Sequence, residues 1–155
     1  MDYPTEKNSF LVEHVVDMRN SYRQLLLKDL IPDIQSDAQF ARQLFHAPFA
    51  VVSHDTDSDP VFNYANLKAL ELFELSWEDF TGLPSRLSAE PVNQAERDRL
   101  LAKVTEKGYI DHYQGVRISS TGKRFLISNA VVWNLFDKNQ RYKGQAARFD
   151  QWTFL

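Results

Sequence analysis

The first apolar residues of the chain recur at the spacing of one helix face. They follow each other at alternating steps of four and three residues, which is the narrow seam of a helix that packs along one partner surface. The residues of this seam are Leu11, Val15, Met18, Tyr22 and Leu25. The pattern predicts a helix over residues 10–29. Two partners for its seam remain open: the core of the same domain, or a second copy of the chain in a dimer.

Cap signals and strand patterns predict the remaining elements. Ser36, Asn66, Ser76 and Asn93 stand where helices are expected to begin, because short polar side chains accept a hydrogen bond from the first helical turn. Five segments are rich in β-branched and aromatic residues, as strands are. They are "PFAVVSHDT", "VFNYAN", "YIDHYQGVRIS", "KRFLISNAVVWNLF" and "YKGQAARFDQWTF".

The order of these elements predicts an α+β fold. Two paired strands, a helical crossover and a three-stranded meander give a five-stranded antiparallel sheet, with the central helices covering one face. The first helices precede this unit. The chain is therefore expected to consist of an N-terminal helical segment, residues 1–39, and a sheet-containing domain, residues 40–155.

The stretch "GVRISSTGKRF" has the ingredients of a phosphate-binding loop but not its layout. The position five residues before Gly122 holds Arg117 instead of the required glycine, and Lys123 is followed by Arg124 instead of a hydroxyl residue. Predicted strands lie on both sides, whereas a phosphate loop leads into a helix. The stretch is predicted to be a hairpin turn in which Gly122 supplies a positive φ.

Metal and catalytic motifs are weak. The segment "DTDSDP" begins like a calcium loop, but Pro60 and Asn66 stand where the glycine and the bidentate glutamate are needed, so an acidic turn is predicted. The four histidines lack the paired spacing of a zinc site. A lone histidine, such as His46 or His112, is only a weak indication of an axial haem ligand.

Side-chain alternation along the last three strands places a few polar residues on an apolar face. With a period of two, Asn129 falls on the same face as Trp133, whereas Tyr113 and Arg117 fall on the opposite side of the sheet. An apolar face with a few amides is typical of a small-molecule pocket. The amides could equally satisfy backbone groups of the covering helices. The candidate ligand-binding residues are Tyr64, His112, Gln114, Asn129, Trp133 and Gln145.

Composition narrows the class of protein. With 155 residues the chain is expected to form one domain. A net charge of −3 argues against non-specific nucleic-acid binding, which needs a basic surface. The chain has no cysteine, which excludes disulfides and thiolate metal ligands. The N-terminus lacks a signal-peptide layout and no apolar run is long enough for a membrane span, so a cytoplasmic protein without membrane contact is expected.

Two stretches carry a resemblance to known families. "VFNYANLKALELFELSWEDFTGLP" is similar to the signature of PAS domains. "GVRISSTGKRFLISNAVVWNLFDKNQ", followed by "AARFDQWTF", resembles the MEKHLA domain, a relative of PAS that occurs at the C-terminus of plant homeodomain–leucine-zipper transcription factors and as stand-alone bacterial proteins. The matching residues are Gly115, Ser119, Ser120, Gly122, Ala130, Trp133, Asp137, Ala146, Phe149, Trp152 and Phe154.

The resemblance implies a sensory or regulatory module without enzymatic activity. Such a module is expected to bind a small molecule or a protein partner and to shift a dimer equilibrium, with a homodimer formed through the N-terminal helix and the outer sheet face. The cofactor is unknown. The absence of cysteine excludes the light-dependent flavin adduct but not a non-covalent flavin.

Two alternatives to the sensory module stay open. In the first, the chain is purely a homodimerisation module whose core is filled by side chains. In the second, it is a small enzyme of the cone-shaped α+β kind that uses one acid–base pair. The enzyme would depend on His112, because no other titratable side chain is predicted on the pocket face.

Overall fold

The computed structural model describes residues 2–155 as a curved antiparallel sheet between two helical layers. Within this range the α-helices are α1 (Val12–Leu26), α2 (Asp37–Phe45), α3 (Leu67–Phe73), α4 (Trp77–Phe80) and α5 (Pro91–Lys107). The strands are β1 (Ala50–His54), β2 (Phe62–Ala65), β3 (Tyr109–Ile118), β4 (Arg124–Phe136), β5 (Tyr142–Phe149) and β6 (Gln151–Phe154). Short 3₁₀ helices at Glu6–Leu11 and Ser85–Ser88 complete the structure.

The sheet confirms the predicted five-stranded antiparallel arrangement. Its strand order is β2-β1-β5-β4-β3, and every pair is antiparallel. The fifth predicted strand is interrupted at Asp150, so that β5 pairs with one half of β4 and β6 pairs with the other half. Strand β1 thus pairs with β5, although the central helices and three further strands separate them in sequence. This pairing brings the first and the last strands into one sheet.

Three of the four predicted helix caps are confirmed. The side chains of Ser36, Asn66 and Ser76 each accept a hydrogen bond from the first turn of the helix that follows. The prediction for Asn93 is wrong, because α5 begins at Pro91, three residues earlier than a cap at Asn93 implies, and a proline suits the first helical position. The first helix ends at Leu26 rather than at residue 29, because Leu27 adopts a left-handed conformation that stops it.

Asn66 joins the two helical layers to the sheet. Its side-chain oxygen accepts hydrogen bonds from the backbone N–H groups of Val51 in β1 and Ala69 in α3, at 3.0 and 3.1 Å. Its side-chain nitrogen donates to the carbonyl oxygens of Leu44 in α2 and Phe49, at 3.0 and 2.8 Å. The residue is fully buried, so four backbone groups rely on one amide.

The N-terminal helix α1 lies on the chain's own sheet. We call the face that it covers the outer face, and the face covered by α3 and α5 the inner face. Val15, Met18 and Tyr22 of the α1 seam are buried. The indole of Trp133 donates to the Met18 carbonyl at 3.2 Å and meets the Tyr22 ring edge-on. Of the two partners considered for the seam, the structure shows the core of the same domain.

Two β-bulges reverse the strand phase in the middle of the β3–β4 pair. His112 and Asn129 have positive φ angles of 55° and 56°, and the pairing shifts register beside each of them. An extra residue in a strand turns the side chains beyond it to the opposite face. Phe125 and Ile127 therefore face the inner helices, whereas Trp133 faces α1.

Candidate functional site

A small cavity lies between the inner face of the sheet and the helices α3 and α5. Its volume is about 70 Å³. The apolar part of its wall includes Phe62, Phe73, Leu100, Ile127, Val132 and Phe149. Polar side chains complete the wall: His54, Ser85, Ser88, Arg97, Arg117 and Gln145. Each of these polar residues is buried, which is an unusual density of polar groups for the interior of a small domain.

Two guanidinium groups reach the cavity wall. Arg97 on α5 binds Asp98 at 3.1 Å and donates to the hydroxyl of Ser85. Arg117 on β3 donates to the Tyr113 hydroxyl at 3.1 Å and to a neighbouring carbonyl. Burial lowers the pKa of Arg97, and the positive charge of Arg117 lowers it further, so the two cations lie within electrostatic range of each other.

Arg117 has no carboxylate partner among the described residues. The closest carboxylate in its network belongs to Glu96, which accepts a hydrogen bond from the Tyr113 hydroxyl at 3.0 Å. A guanidinium has five N–H donors, and the described residues satisfy two of them. A buried cation without a counter-charge is rare because the loss of hydration is not offset.

His54 also lines this cavity, and one nitrogen of its ring is buried without a hydrogen-bond partner in the described chain. Its Nδ1 lies 2.9 Å from the carbonyl oxygen of Asp55, and its Nε2 is buried without a hydrogen-bond partner in the described chain. Burial lowers the pKa of His54, and the Asp55 carbonyl and Gln145 only partly oppose this effect. The ring is therefore neutral near pH 7. A carbonyl accepts only, so Nδ1 carries the proton and Nε2 offers a lone pair.

The position of His54 depends on the close contact between β1 and β5. Gly144 has a φ of +129°, and a Cβ atom at this position would lie 1.9 Å from the His54 carbonyl oxygen. Only glycine allows the strands to approach this closely. The side chain of Gln145, the next residue, lies in the cavity wall and donates to the side chain of Asn134 at 3.1 Å.

Of the six candidate residues, the structure places Gln145 in the cavity wall and the other five elsewhere. Trp133 is fully buried on the outer face, against α1. Tyr64 pairs in register with Ser53, which hydrogen-bonds to His14 of α1, so Tyr64 also lies on the outer side of the sheet. Its hydroxyl is buried without a partner in the described chain, and burial raises its pKa.

The remaining three candidates lie at the surface. His112 and Asn129 hydrogen-bond to each other at 2.5 Å, and the His112 side chain is 78% exposed. Gln114 is exposed as well. The shared inner face that strict alternation predicted for these residues is wrong, because the bulges at His112 and Asn129 break the alternation. The same shift moves Tyr113 and Arg117 from the predicted outer face to the cavity.

The cavity residues that sequence reasoning missed left only a faint signal. Histidine and asparagine are enriched at positive φ, so His112 and Asn129 were possible bulge positions within otherwise regular strands. Placing bulges there brings Arg117 to the inner face. Arg97 and His54 have no local signal of this kind, because only the tertiary fold brings their elements together.

The hairpin "SSTGK" is fastened to the end of α3. The carboxylate of Glu74 accepts hydrogen bonds from the hydroxyls of Ser119, at 2.9 Å, and Thr121, and binds Lys123 at 3.2 Å. Hydrogen bonds from Thr121 and Ser119 lower the pKa of Glu74. The hydroxyl of Ser120 donates to the Glu74 carbonyl at 2.6 Å. The stretch is a hairpin turn, as predicted, and its hydroxyl residues hold an inner helix in place.

Neither a metal site nor a membrane span emerges from the described residues. Within residues 2–155, no three His, Cys, Asp or Glu side chains are grouped so that they could hold a metal ion. The acidic turn instead satisfies itself, since Asp55 accepts from the backbone N–H groups of Asp57 and Val61. No helix in this range has the length and apolarity required to cross a bilayer.

The order of strands and helices is that of a PAS-like domain. The structure is similar to a PAS domain from Colwellia psychrerythraea, with a TM-score of 0.64 and 15% identity, over 76% of this chain and 94% of that one. It is also similar to an RNA-binding light-oxygen-voltage receptor, with a TM-score of 0.62 and 17% identity, over 78% of this chain and 34% of that one. At this level of identity, the likeness concerns the fold.

The family is more specific than the fold. The model of the MEKHLA domain matches residues 12–154, so the chain belongs to the MEKHLA domain family. The homeobox-leucine zipper protein HOX10 of Oryza sativa is 27% identical over 137 residues, which is 87% of this chain and 16% of that protein. ATHB-9 of Arabidopsis thaliana, also a homeobox-leucine zipper protein, is 26% identical over 103 residues, which is 64% of this chain and 12% of that protein. The chain thus spans less than a fifth of these relatives. The family match includes α1.

A flavin does not fit the cavity in this structure. A light-oxygen-voltage domain studied with a flavin analogue has a similar fold, with a TM-score of 0.59 and 16% identity, over 75% of this chain and 84% of that one. Pockets for ligands of drug size occupy about 300–1,000 Å³, whereas the cavity here is about 70 Å³. Phe62, Phe73 and Leu100 fill part of the space between sheet and helices.

Proposed function

We propose that this chain is a non-enzymatic regulatory domain that binds a small molecule in the cavity between the inner face and α3 and α5. The observation that carries the proposal is the unpartnered Nε2 of buried His54 beside two buried guanidinium groups. Buried polar groups without partners are costly unless something pairs with them. No carboxylate lies among the described lining residues to act with His54, which favours binding over acid–base catalysis.

Consecutive residues of β1 offer a route from the cavity to the N-terminal helix. His54 faces the cavity, and Ser53 faces α1, where its hydroxyl lies 2.9 Å from Nε2 of His14. A ligand that moves His54 would therefore move the strand to which α1 is attached. The same signal could reach a second copy of the chain, because a change in α1 packing alters the surface available for dimerisation.

Native mass spectrometry of the protein purified from its own host tests this proposal. We expect a small molecule to co-purify with the wild-type chain and to be lost from Val132→Phe, which fills the cavity from β4. Val92→Phe is the matched control, because Val92 lies on α5 but is 83% exposed. Size-exclusion chromatography with light scattering then compares the oligomeric state with and without the ligand. A wild-type chain that carries nothing would contradict the proposal.

A second candidate is a pure protein-interaction module. The small volume of the cavity favours it, because side chains already fill most of the space between sheet and helices. The part of the outer face beyond α1 also carries the partly exposed apolar residues Val116, Ile118 and Leu126. A homodimer through this surface would weaken when Ile118 is replaced by Lys, whereas Val132→Phe would leave the dimer unchanged. A monomeric wild-type chain at micromolar concentration would argue against the homodimer.

A further inference from the structure

We propose that the cavity binds a small hydroxycarboxylate, a carboxylic acid of two to four carbons that also carries a hydroxyl group. The guanidinium groups of Arg97 and Arg117 would bind the carboxylate, and His54 would accept a hydrogen bond from the hydroxyl. This inference rests on the proposed function, and adds to it the chemical class of the ligand.

The charge of the cavity wall favours an anion. Arg97 and Arg117 bring two positive charges to the wall, and no described lining residue is acidic. Asp98 binds Arg97 from the solvent side, where its side chain is 70% exposed. Arg117 has no such partner within 4 Å in the described chain. Planar guanidinium groups bind carboxylates through two parallel hydrogen bonds, so a ligand carboxylate supplies what the wall lacks.

His54 requires the ligand to carry a hydrogen-bond donor as well. The Asp55 carbonyl fixes the proton of neutral His54 on Nδ1, so the buried Nε2 is a hydrogen-bond acceptor. A carboxylate has no hydrogen to donate to it. A hydroxyl group does, and a ligand that carries both groups satisfies the cations and the histidine together.

The size and the remaining wall restrict the ligand further. A cavity of about 70 Å³ has room for roughly five water-sized groups, which is the size of glycolate or lactate. The rest of the wall consists of aromatic and aliphatic side chains, among them Phe62, Leu100 and Val132. These suit a short carbon chain and disfavour a second charged group.

Isothermal titration of the full chain with lactate, propionate and lactamide tests the inference, because the three probes differ only in the groups at issue. We expect saturable binding of lactate and none of lactamide, which lacks the charge. We expect propionate, which lacks the hydroxyl, to bind about fivefold more weakly, as one neutral hydrogen bond implies. Inorganic phosphate serves as a probe for an anion without a carbon chain.

Three variants assign the contacts. Arg117→Gln should weaken lactate binding by about tenfold or more, whereas Arg99→Gln, at an exposed position of α5, should not change it. His54→Phe should make lactate and propionate bind equally. If Arg117→Gln does not fold, the comparison of lactate with lactamide on the wild-type chain still decides.

The outcomes separate this inference from the proposed function. Equal binding of propionate and lactate by the wild-type chain, or saturable binding of phosphate in place of both, would overturn the assignment of a hydroxycarboxylate. If no probe binds and another molecule co-purifies in the cavity, the inference fails and the proposed function stands. If no probe binds and nothing co-purifies, both fail.

Discussion

The two faces of the sheet are covered in different ways. On the outer face, the buried ring of Tyr22 in α1 meets the buried indole of Trp133 edge-on. On the inner face, α3 and α5 leave a cavity whose wall holds Arg97, Arg117 and His54. Both helical layers bury apolar side chains, and each side of the sheet also has a buried polar atom without a partner in the described chain, Nε2 of His54 on the inner side and the Tyr64 hydroxyl on the outer side. The difference between the faces is therefore the cavity itself and the two arginines that line it on the inner side.

The largest effect is expected from Trp133→Ala on the outer face. The change removes a fully buried indole, its hydrogen bond to Met18 and its contact with Tyr22. We expect the free energy of unfolding to fall by about 3–5 kcal/mol, measured by urea denaturation. Trp152→Ala is the control, since Trp152 is partly exposed. If Trp133→Ala lowers the free energy of unfolding no more than Trp152→Ala does, the packing of α1 on the outer face is not a main source of stability.

A smaller loss is expected from Asn66→Ala, which disconnects the two layers. The change leaves the Val51 and Ala69 N–H groups and the carbonyl oxygens of Leu44 and Phe49 without their shared partner. We expect about 3 kcal/mol of destabilisation, because buried groups lose their hydrogen bonds.

Asn63→Ala is the control for this prediction. Asn63 is only partly buried, and its side chain accepts a single hydrogen bond, from Ser53 at 2.5 Å. We expect a loss of about 1 kcal/mol, measured by denaturation as for Asn66. Equal losses for the two variants would mean that Asn66 does not connect the layers.

We expect the protein to lose stability in acid, because the pKa values of His14 and His54 are lowered in the folded chain. Burial lowers the pKa of His14, on the outer side, to about 3, and the charge of Lys143 adds to the effect. In the unfolded chain, His14 takes up a proton near pH 6.5, whereas in the folded chain it does so only near pH 3. The folded state therefore has its full stability above pH 6.5 and loses stability as the pH falls from 6.5 towards 3. His14 alone should lower stability by about 2 kcal/mol between pH 7 and pH 5.

Denaturation at both pH values checks this prediction. His14→Gln should flatten the profile by that amount, whereas replacement of the exposed His46 by Gln should leave it unchanged. His54 also has a lowered pKa, and it adds to the same acid-dependent loss. A ligand in the cavity should alter only the part that depends on His54. An unchanged pH profile in His14→Gln would contradict the burial of a neutral His14.

The smallest effect is expected where the hairpin holds α3 at the edge of the inner layer. Glu74→Gln removes the charge that binds Lys123 and weakens the acceptor for Ser119 and Thr121. We expect faster amide hydrogen exchange at residues 119–123 with little change in the melting temperature, because the contact is near the surface. The exposed Glu71→Gln is the matched control. Unchanged exchange in the hairpin would show that the carboxylate does not hold it.

Sequence reasoning was most successful where signals are local. The caps at Ser36, Asn66 and Ser76, the hairpin at Gly122 and the order of strands all follow from residues close in sequence. The cavity did not follow, because its wall depends on strand phase over long distances. Strict alternation across Asn129 placed Trp133 with the candidate site, and one extra residue in the strand put it on the opposite face.

His112 and Asn129 were predicted to line a pocket, and this interpretation failed for a physical reason. A polar residue within an apolar strand can mark a pocket or a bulge, and both patterns look identical in the sequence. His112 and Asn129 bond to each other at the bulges, and the cavity takes its polarity from Arg97, Arg117 and His54. No local pattern distinguishes Arg97 and His54 from ordinary surface residues, and Arg117 falls on the inner face only once the two bulges are placed.

The two bulges also link the lengths of β3 and β4. The extra residue near His112 on β3 is followed by an extra residue near Asn129 on β4, so the strand ends on both sides of the pair remain aligned. Deleting one residue at either site alone would shift the pairing register on one side of the bulge by one residue. The side chains of that part of the strand would then lie on the opposite face of the sheet. Insertions and deletions in these strands should therefore be tolerated in pairs, and a family alignment with single-residue gaps at one bulge should show a compensating gap at the other.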